Sequence, residues 1–301
     1  MNIVIIGQGA MGLLFTHYLR SEQISLKTRT RVKSSATYTF TNIHGSSSQY
    51  PITTADVEQL KRADCIICCV KSYDVSAALK EVLPVIQPHC PIILTHNGMG
   101  VVEKLNLGCG FNNPIYALVT TMAAKKLTHT HLLHTGEGVN TMGLVTGSSS
   151  ATEQQQLLIM LQNHIPHLSL TCAIKRLQWQ KLAINAAINA LTAIHNVNNG
   201  ELAKQCYQDK IKGIVAEVVQ VALAEGVDFK RTELISTIKQ VIERTSKNSS
   251  SMREDVRKQR PTEIAYINGY ITELGEKHQI STPWNQQLLQ QVNDISATHS
   301  A

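Results

Sequence analysis

The sequence predicts an α/β domain built on a parallel sheet, followed by an all-helical domain. Three observations carry that reading. The chain opens on a β-branched run, Ile3 to Ile6, followed at once by Gly7, Gly9 and Gly12 and by an apolar helical pattern over residues 13–19. Strand-like and helix-like segments then alternate as far as residue 145, which implies a sheet with helices on both faces. Beyond Ile174 the apolar residues recur at helical spacing almost throughout.

Each element has its own signal. Residues 3–6 are apolar and β-branched, as a strand buried on both faces requires. In the G-x-G-x-x-G loop that follows, Gly7 makes the tight turn, Gly9 lets the backbone approach a pyrophosphate, and Gly12 lets the helix pack closely on the strand. The pyrophosphate would rest on the free amides and positive dipole end of that helix. The strand-loop-helix context makes this a Rossmann-type dinucleotide site rather than a chance run of glycines. Further strands are predicted at 24–28, 38–41, 64–70 and 91–95, with a helix at 75–83. Strands at 115–121, 130–134 and 139–145 are expected to extend the same sheet, with Gly136 and Gly138 in the last turn. Ser150 and Glu153 form a capping box for a helix running toward Asn163. Pro166 then interrupts the pattern, giving a dinucleotide-binding domain over 1–166 and a helical domain over 167–301. Helices in the latter are expected at 174–196, 208–225, 232–245, 284–296 and, as one long element, 253–278. The serine triplets at 46–48 and 148–150 read as surface loops.

Composition narrows the class of protein. With 301 residues and 43% hydrophobic content the chain can bury two substantial cores. No run approaches the ~18–20 apolar residues needed to span a bilayer, so no membrane partner is expected. Met1 leads straight into strand and glycine loop without a basic leader, and the seven cysteines lack disulfide-framework spacing, which together point to the cytoplasm. A net charge of +6 favours anionic ligands without identifying one. Cys65 and Cys68 have C-x-x-C spacing but lie in a predicted central strand without a second Cys/His pair, so packing is expected and no metal. His129, His131 and His134 read as surface residues of a half-exposed strand.

The second chemical feature is the helix over 179–194, apolar nearly all round and so expected to be buried. Lys181, Asn185 and Asn189 interrupt it at i, i+4 and i+8, which stacks them on one face. A solvated stripe would favour better helix formers than two asparagines. Polar groups on a buried helix are costly unless they have partners, so this face reads as one wall of a site.

With these residues in hand, the chain resembles the ketopantoate reductase (2-dehydropantoate 2-reductase) family over nearly its whole length. The matching segments are the Gly7–Gly12 loop, Val70-Lys71, His96-Asn97-Gly98-Met99-Gly100, Lys181 to Asn185, and Asn189 to Ile194. Asn199-Gly200-Glu201-Leu202, Ser250-Ser251-Met252, Thr262-Glu263-Ile264 and Tyr266-Ile267-Asn268-Gly269 match as well. The resemblance implies a Rossmann-type domain, a helical C-terminal domain, an active site in the cleft between them, and NADPH-dependent reduction of 2-dehydropantoate to (R)-pantoate on the way to pantothenate and coenzyme A. It implies Lys181 as the catalytic lysine and Asn97, Asn185, Asn189, Asn199, Asn248, Ser249, Ser250 and Ser251, together with Lys181, as substrate-binding residues. Toward the cofactor it implies Gly7, Gln8, Gly9, Ala10, Met11, Gly12, Lys71, Asn97, Ala123 and Glu263. A monomer or homodimer is expected.

Hydride delivered to a C2 ketone leaves charge on oxygen, so a proton donor must stand within hydrogen-bond reach, and Lys181 supplies both proton and charge. The second predicted strand ends in Lys27-Thr28-Arg29-Thr30-Arg31 with no acid to accept from a ribose 2′-hydroxyl, and Arg31 is expected to contact the 2′-phosphate of NADPH, assisted by Arg29 or Lys33. If Asn97 on the first domain and Asn199 and Ser251 on the second hold one substrate, the domains must close around it. Two departures stand out: Asp74, near Lys71, where an uncharged residue is expected, and Pro261, which would kink a helix near Glu263. A reductase of another 2-oxo acid and a non-catalytic NADPH sensor are the alternatives within this fold. A nucleic-acid binder is the third, and the basic cluster lacks the interleaved aromatics or recognised module it would need.

Overall fold

The computed structural model describes residues 1–21, 25–29, 37–105 and 112–298; Arg31 and Lys33 lie outside them. The chain forms two compact units, Met1–His96 with Leu105–Ile174, and Asn97–Lys104 with Lys175–Ala301.

In the first unit the elements run β1 (Asn2–Ile6), α1 (Ala10–Tyr18), β2 (Ser25–Arg29), β3 (Thr37–Thr41), β4 (Ser47–Pro51), α2 (Val57–Lys61), β5 (Cys65–Cys68), α3 (Ser72–Val82) and β6 (Ile92–Leu94). After α4 (Val101–Lys104), which belongs to the second unit, come β7 (Ile115–Thr120), β8 (Ala123–Thr128), β9 (His131–Gly136), β10 (Asn140–Thr146), α5 (Ala151–Gln162) and β11 (Leu168–Leu170). Among the described residues, seven strands make one sheet in the order β11-β10-β7-β6-β5-β1-β2. Its centre is parallel, with Val4 opposite Ile66 and Ile66 opposite Ile92. Ile3 to Ile6 are buried on both faces, which is why the strand reads as a continuous apolar run.

The segments predicted at 38–41 and 130–134 form strands, but not in that sheet. β3 and β9 pair in parallel and, with β4 and β8, make a second sheet in the order β4-β3-β9-β8. Tyr38, Phe40 and Leu132 turn inward with exposed or partly exposed neighbours between them, and such alternation marks a sheet with one wet face. Ser47 and Ser48 lie in β4 rather than in a loop. Helix α1 packs on β1 and also against β8 and β9, and its His17 ring stacks on Phe40 with 3.6 Å between centroids. Burial, with Arg20 and His134 adding like charge, lowers the His17 pKa to about 4. His134 is buried, hydrogen-bonded to the Gly136 carbonyl, rather than on the surface. The capping box of α5 is formed as predicted, Ser150 and Glu153 each accepting the other's backbone N–H. β11 pairs with β10, which keeps the chain as far as Ile174 in the first unit.

The second unit contains α6 (Ile174–His195, from Lys175 onward), α7 (Gln205–Ala224), α8 (Arg231–Arg244), α9 (Ser251–Arg257), α10 (Asn268–Lys277) and α11 (Pro283–Thr298). Its core is built on α6, where Trp179, Ala183, Ala186, Ala187 and Ala190 are wholly buried. The long helix expected over 253–278 is instead two helices. Gln259 adopts the left-handed conformation and the Arg260 amide closes on the Asp255 carbonyl at 2.9 Å, a helix-terminating arrangement. Pro261 then has no N–H with which to continue. A short 3₁₀ turn at Ile264–Tyr266 leads into α10, so Thr262 and Glu263 stand in a connection instead of on a helix face.

Candidate functional site

The site residues fall into two groups, one in each unit. In the first unit, Gly7 is held at φ +98°, and a Cβ on it would lie 2.8 Å from Val70 Cγ1. A Cβ on Gly12 would lie 2.1 Å from the Gly7 carbonyl oxygen, so only glycine lets α1 start that close to the turn. Over Gly9 the nearest atom stands 3.8 Å away, which leaves the backbone open to a ligand. α2 and α5 are capped by Asp56 and Ser150, whereas α1 starts from Gly9, which has no side chain with which to cap the amides of Ala10, Met11 and Gly12. An open backbone beside uncapped helix amides suits a diphosphate. The loop is also held from outside. Gln8 Nε2 donates to Thr28 Oγ1 at 3.1 Å, and Lys126 Nζ, on β8, donates to the Gln8 carbonyl at 2.9 Å.

Lys71 sits just past the carboxyl end of β5 as N-cap of α3, and Ala123 opens β8. Asp74 occupies the first turn of α3, its amide bonded to the Lys71 carbonyl, where a carboxylate complements the helix dipole. Cys65 and Cys68 are buried in β5; burial pushes the Cys68 thiol up to about 12 and that of Cys65 well above its usual range, so neither is a nucleophile.

The second group centres on Lys181. Burial lowers its ammonium pKa from 10.5 to about 8, and the negative charge of Glu263, itself only 4% exposed, opposes that fall. One and two turns further along α6 stand Asn185, whose Nδ2 is buried without a hydrogen-bond partner, and buried Asn189. Asn199 lies in the 3₁₀ turn Asn199–Ala203. Its amide donates to the Asn248 carbonyl at 3.0 Å and its Nδ2 to Thr245 Oγ1 at 2.9 Å, while its Oδ1 is buried with no partner. Ser249 Oγ is likewise buried and unpartnered. Orphaned polar atoms of this kind are costly and rare in folded proteins, and here they supply a donor, an acceptor and a hydroxyl.

Ser250 has a structural task. Its Oγ accepts the Arg253 amide as N-cap of α9 and hydrogen-bonds Thr192 Oγ1 on α6 at 2.7 Å. Ser251 is the exposed first residue of α9, and the exposed Asn248 contributes its main chain to holding Asn199.

Asn97 belongs to the second unit, not the first as its place in the sequence suggests. The segment docks through the Met99 amide, which donates to the Tyr266 carbonyl at 2.8 Å, while the Tyr266 amide donates to the Glu263 carbonyl at 3.0 Å. Gly98 and Gly100 both have positive φ, and a Cβ on either would fall within 2.5 Å of Tyr266 or Tyr270 atoms. Asn97, Asn199 and Ser251 thus share one compact unit. Sequence reasoning passed over Lys126, Thr192 and Thr245. The paired lysines of β8 were a visible signal, whereas the two threonines act through contacts 46 or more residues distant.

A glycine-loop parallel-sheet unit joined to a helical unit carrying a partly buried lysine and orphaned amides defines a dinucleotide-dependent oxidoreductase. The family description "Ketopantoate reductase PanE/ApbA" matches residues 3–147, and its C-terminal counterpart matches 173–296. A 2-dehydropantoate 2-reductase of Vibrio cholerae serotype O1 is 34% identical, over 100% of this chain and 99% of that one. Among solved structures, D-mandelate dehydrogenase with NADH and anilino(oxo)acetate superposes with a TM-score of 0.89 at 22% identity, covering both chains fully. A dimeric ketopantoate reductase from Staphylococcus aureus gives 0.84 at 20% identity, over 99% of this chain and 100% of that one. The chain belongs to the ketopantoate reductase family.

The double use of Ser250 has a measurable consequence. Ser250→Ala is expected to lower unfolding stability by about 1–2 kcal/mol in urea titration, through loss of the cap and of the Thr192 contact. An unchanged midpoint would show that the hydroxyl holds nothing in the fold.

Proposed function

We propose that this chain reduces 2-dehydropantoate to (R)-pantoate at the expense of NADPH, a step of pantothenate and coenzyme A synthesis. The observation that carries the reading is Lys181, an ammonium made acidic by burial and kept charged by Glu263, on the same helix as an orphaned asparagine amide. The full-length likeness to curated 2-dehydropantoate 2-reductases supports the choice of substrate.

When bound, the nicotinamide supplies a hydride to C2 of the 2-oxo acid. Lys181 Nζ gives its proton to the C2 oxygen as negative charge develops there, and its positive charge stabilises that oxygen beforehand. With a pKa of about 8 the lysine is mostly protonated near neutral pH yet releases its proton more readily than an ordinary lysine. Glu263 prevents burial from discharging it altogether. Asn185 Nδ2 offers a donor suited to the substrate carboxylate, Asn199 Oδ1 an acceptor suited to its hydroxyl, and Ser249 Oγ serves as either. Asn97, Asn189, Asn248, Ser250 and Ser251 complete or frame the same group. In the first unit, Gly7 to Gly12 with Lys71 and Ala123 hold the dinucleotide, and Arg31 selects its 2′-phosphate. The enzyme works as a monomer or a homodimer in the cytoplasm, in keeping with the free cysteines among the described residues.

Two experiments test this. NADPH oxidation across a panel of 2-oxo acids is expected to give the highest kcat/KM with ketopantoate. In the same assay Lys181→Ala is expected to lower kcat by about 10²–10⁴ with little change in NADPH affinity. Because the donor must be protonated, the wild-type rate is expected to fall as pH rises through about 8. A folded Lys181→Ala enzyme near the wild-type rate, or a better substrate in the panel, would overturn the assignment. For the cofactor, Arg31→Ala is expected to weaken NADPH far more than NADH; equal losses would remove Arg31 from the 2′-phosphate.

A further inference from the structure

We propose that Lys126 is a positioning residue of the dinucleotide site, setting the direction in which the glycine loop presents its amides. The inference rests on the reading of that loop as the dinucleotide site. Lys126 is partly buried on β8, in the second sheet, and reaches across 118 residues of sequence to the carbonyl of Gln8, between Gly7 and Gly9. The peptide from Gln8 to Gly9 is trans, so its C=O and N–H point in opposite directions. Fixing the carbonyl with an ammonium therefore fixes the Gly9 N–H on the opposite side.

A loop so rich in glycine needs such a constraint, because its backbone has the widest choice of conformations and the most entropy to lose on binding. Gly7 is already held at φ +98° by its neighbours, whereas at Gly9 the nearest described atom beyond its chain neighbours, the Cys69 carbonyl oxygen, stands 3.8 Å from the Cβ position. The Gln8 side chain supplies the other tether through Thr28 Oγ1, a residue of β2 that is itself buried. Gln8 is thus gripped by its side chain from β2 and by its carbonyl from β8. The second grip is the stronger, since a hydrogen bond from a charged donor exceeds a neutral one. With the loop set before ligand arrives, less ordering remains for binding to overcome, which is how preorganisation raises affinity. The effect is on whatever the two nicotinamide dinucleotides share, the diphosphate above all, and not on the 2′-phosphate.

The test is a fluorescence titration of NADPH and of NADH against wild type, Lys126→Met and Lys126→Arg, with amide hydrogen exchange of residues 7–12 in the cofactor-free protein. Lys126→Met is expected to raise Kd about tenfold for both dinucleotides, the range of one lost charge-assisted hydrogen bond, and to speed exchange in the loop. Lys126→Arg, which keeps a charged donor, is expected to recover most of both. Unchanged Kd values in Lys126→Met would overturn the proposal, as would a loss confined to NADPH, which would make Lys126 a reader of the 2′-phosphate. A loss that Lys126→Arg fails to recover, with the whole first unit exchanging faster, would reduce it to a fold-stabilising contact. If wild type bound neither dinucleotide, the reading of the loop would fail and take this proposal with it, whereas wild-type binding matched by Lys126→Met would fail the proposal alone.

Discussion

The proposed chemistry depends on a lysine ammonium kept in a place that disfavours it. A charge removed from water must be paired or neutralised. Lys181 is pulled toward neutrality by burial and held back by Glu263, and the balance leaves its pKa at about 8. Either influence alone would give a poorer acid: without burial the proton is held too tightly, and without the carboxylate the lysine is too often discharged. The surrounding architecture can be understood as the means of producing that balance. The burial comes with the place of α6 in the core of the second unit. The break after α9, where Gln259 turns left-handed and Pro261 forbids a helix, places Glu263 in a connection near the lysine.

In the same unit, several candidate residues are held by contacts within the protein. Asn199 is fixed by Asn248 and Thr245, leaving only Oδ1 to act. The 248–251 segment is tied to α6 through Thr192 and Ser250. The segment beginning at Asn97 is tied to the Glu263 connection through Met99 and Tyr266. Groups locked by such secondary contacts lose little freedom when a ligand arrives, so more of each interaction can serve orientation. The glycine loop of the first unit follows the same rule, with Gln8 held from two strands.

What the sequence revealed, and what it hid, follows from the range of the forces involved. Local steric and capping requirements were readable: the Gly7–Gly12 loop, the Ser150–Glu153 box and the Lys181–Asn185–Asn189 face all depend on residues a few positions apart. Sheet membership was not, because β3 and β9 carry strand-like patterns that do not say which partner they join. Their half-buried alternation, already read for the strand at 130–134, sets them apart from the continuous apolar run of β1 but names no partner. The break between α9 and α10 was hidden by apolar spacing that continues across it, although Pro261 announced it. The placement of Asn97 was hidden too, since sequence order assigned it to the first unit while its segment docks in the second, where the Met99 amide donates to the Tyr266 carbonyl. Family resemblance named the site residues, but only the structure separates Ser250, which caps a helix, from Ser249, whose hydroxyl is left without a partner.

The central claim concerns a single proton, and the direct measurement is the titration of Lys181 itself by NMR of isotope-labelled lysine, in wild type and in Glu263→Gln. The pair described above predicts a pKa of about 8 in wild type, and a lower value in Glu263→Gln, where burial acts unopposed. A pKa close to the ordinary 10.5 in both proteins would contradict it, leaving Lys181 a solvated lysine that neither burial nor Glu263 tunes.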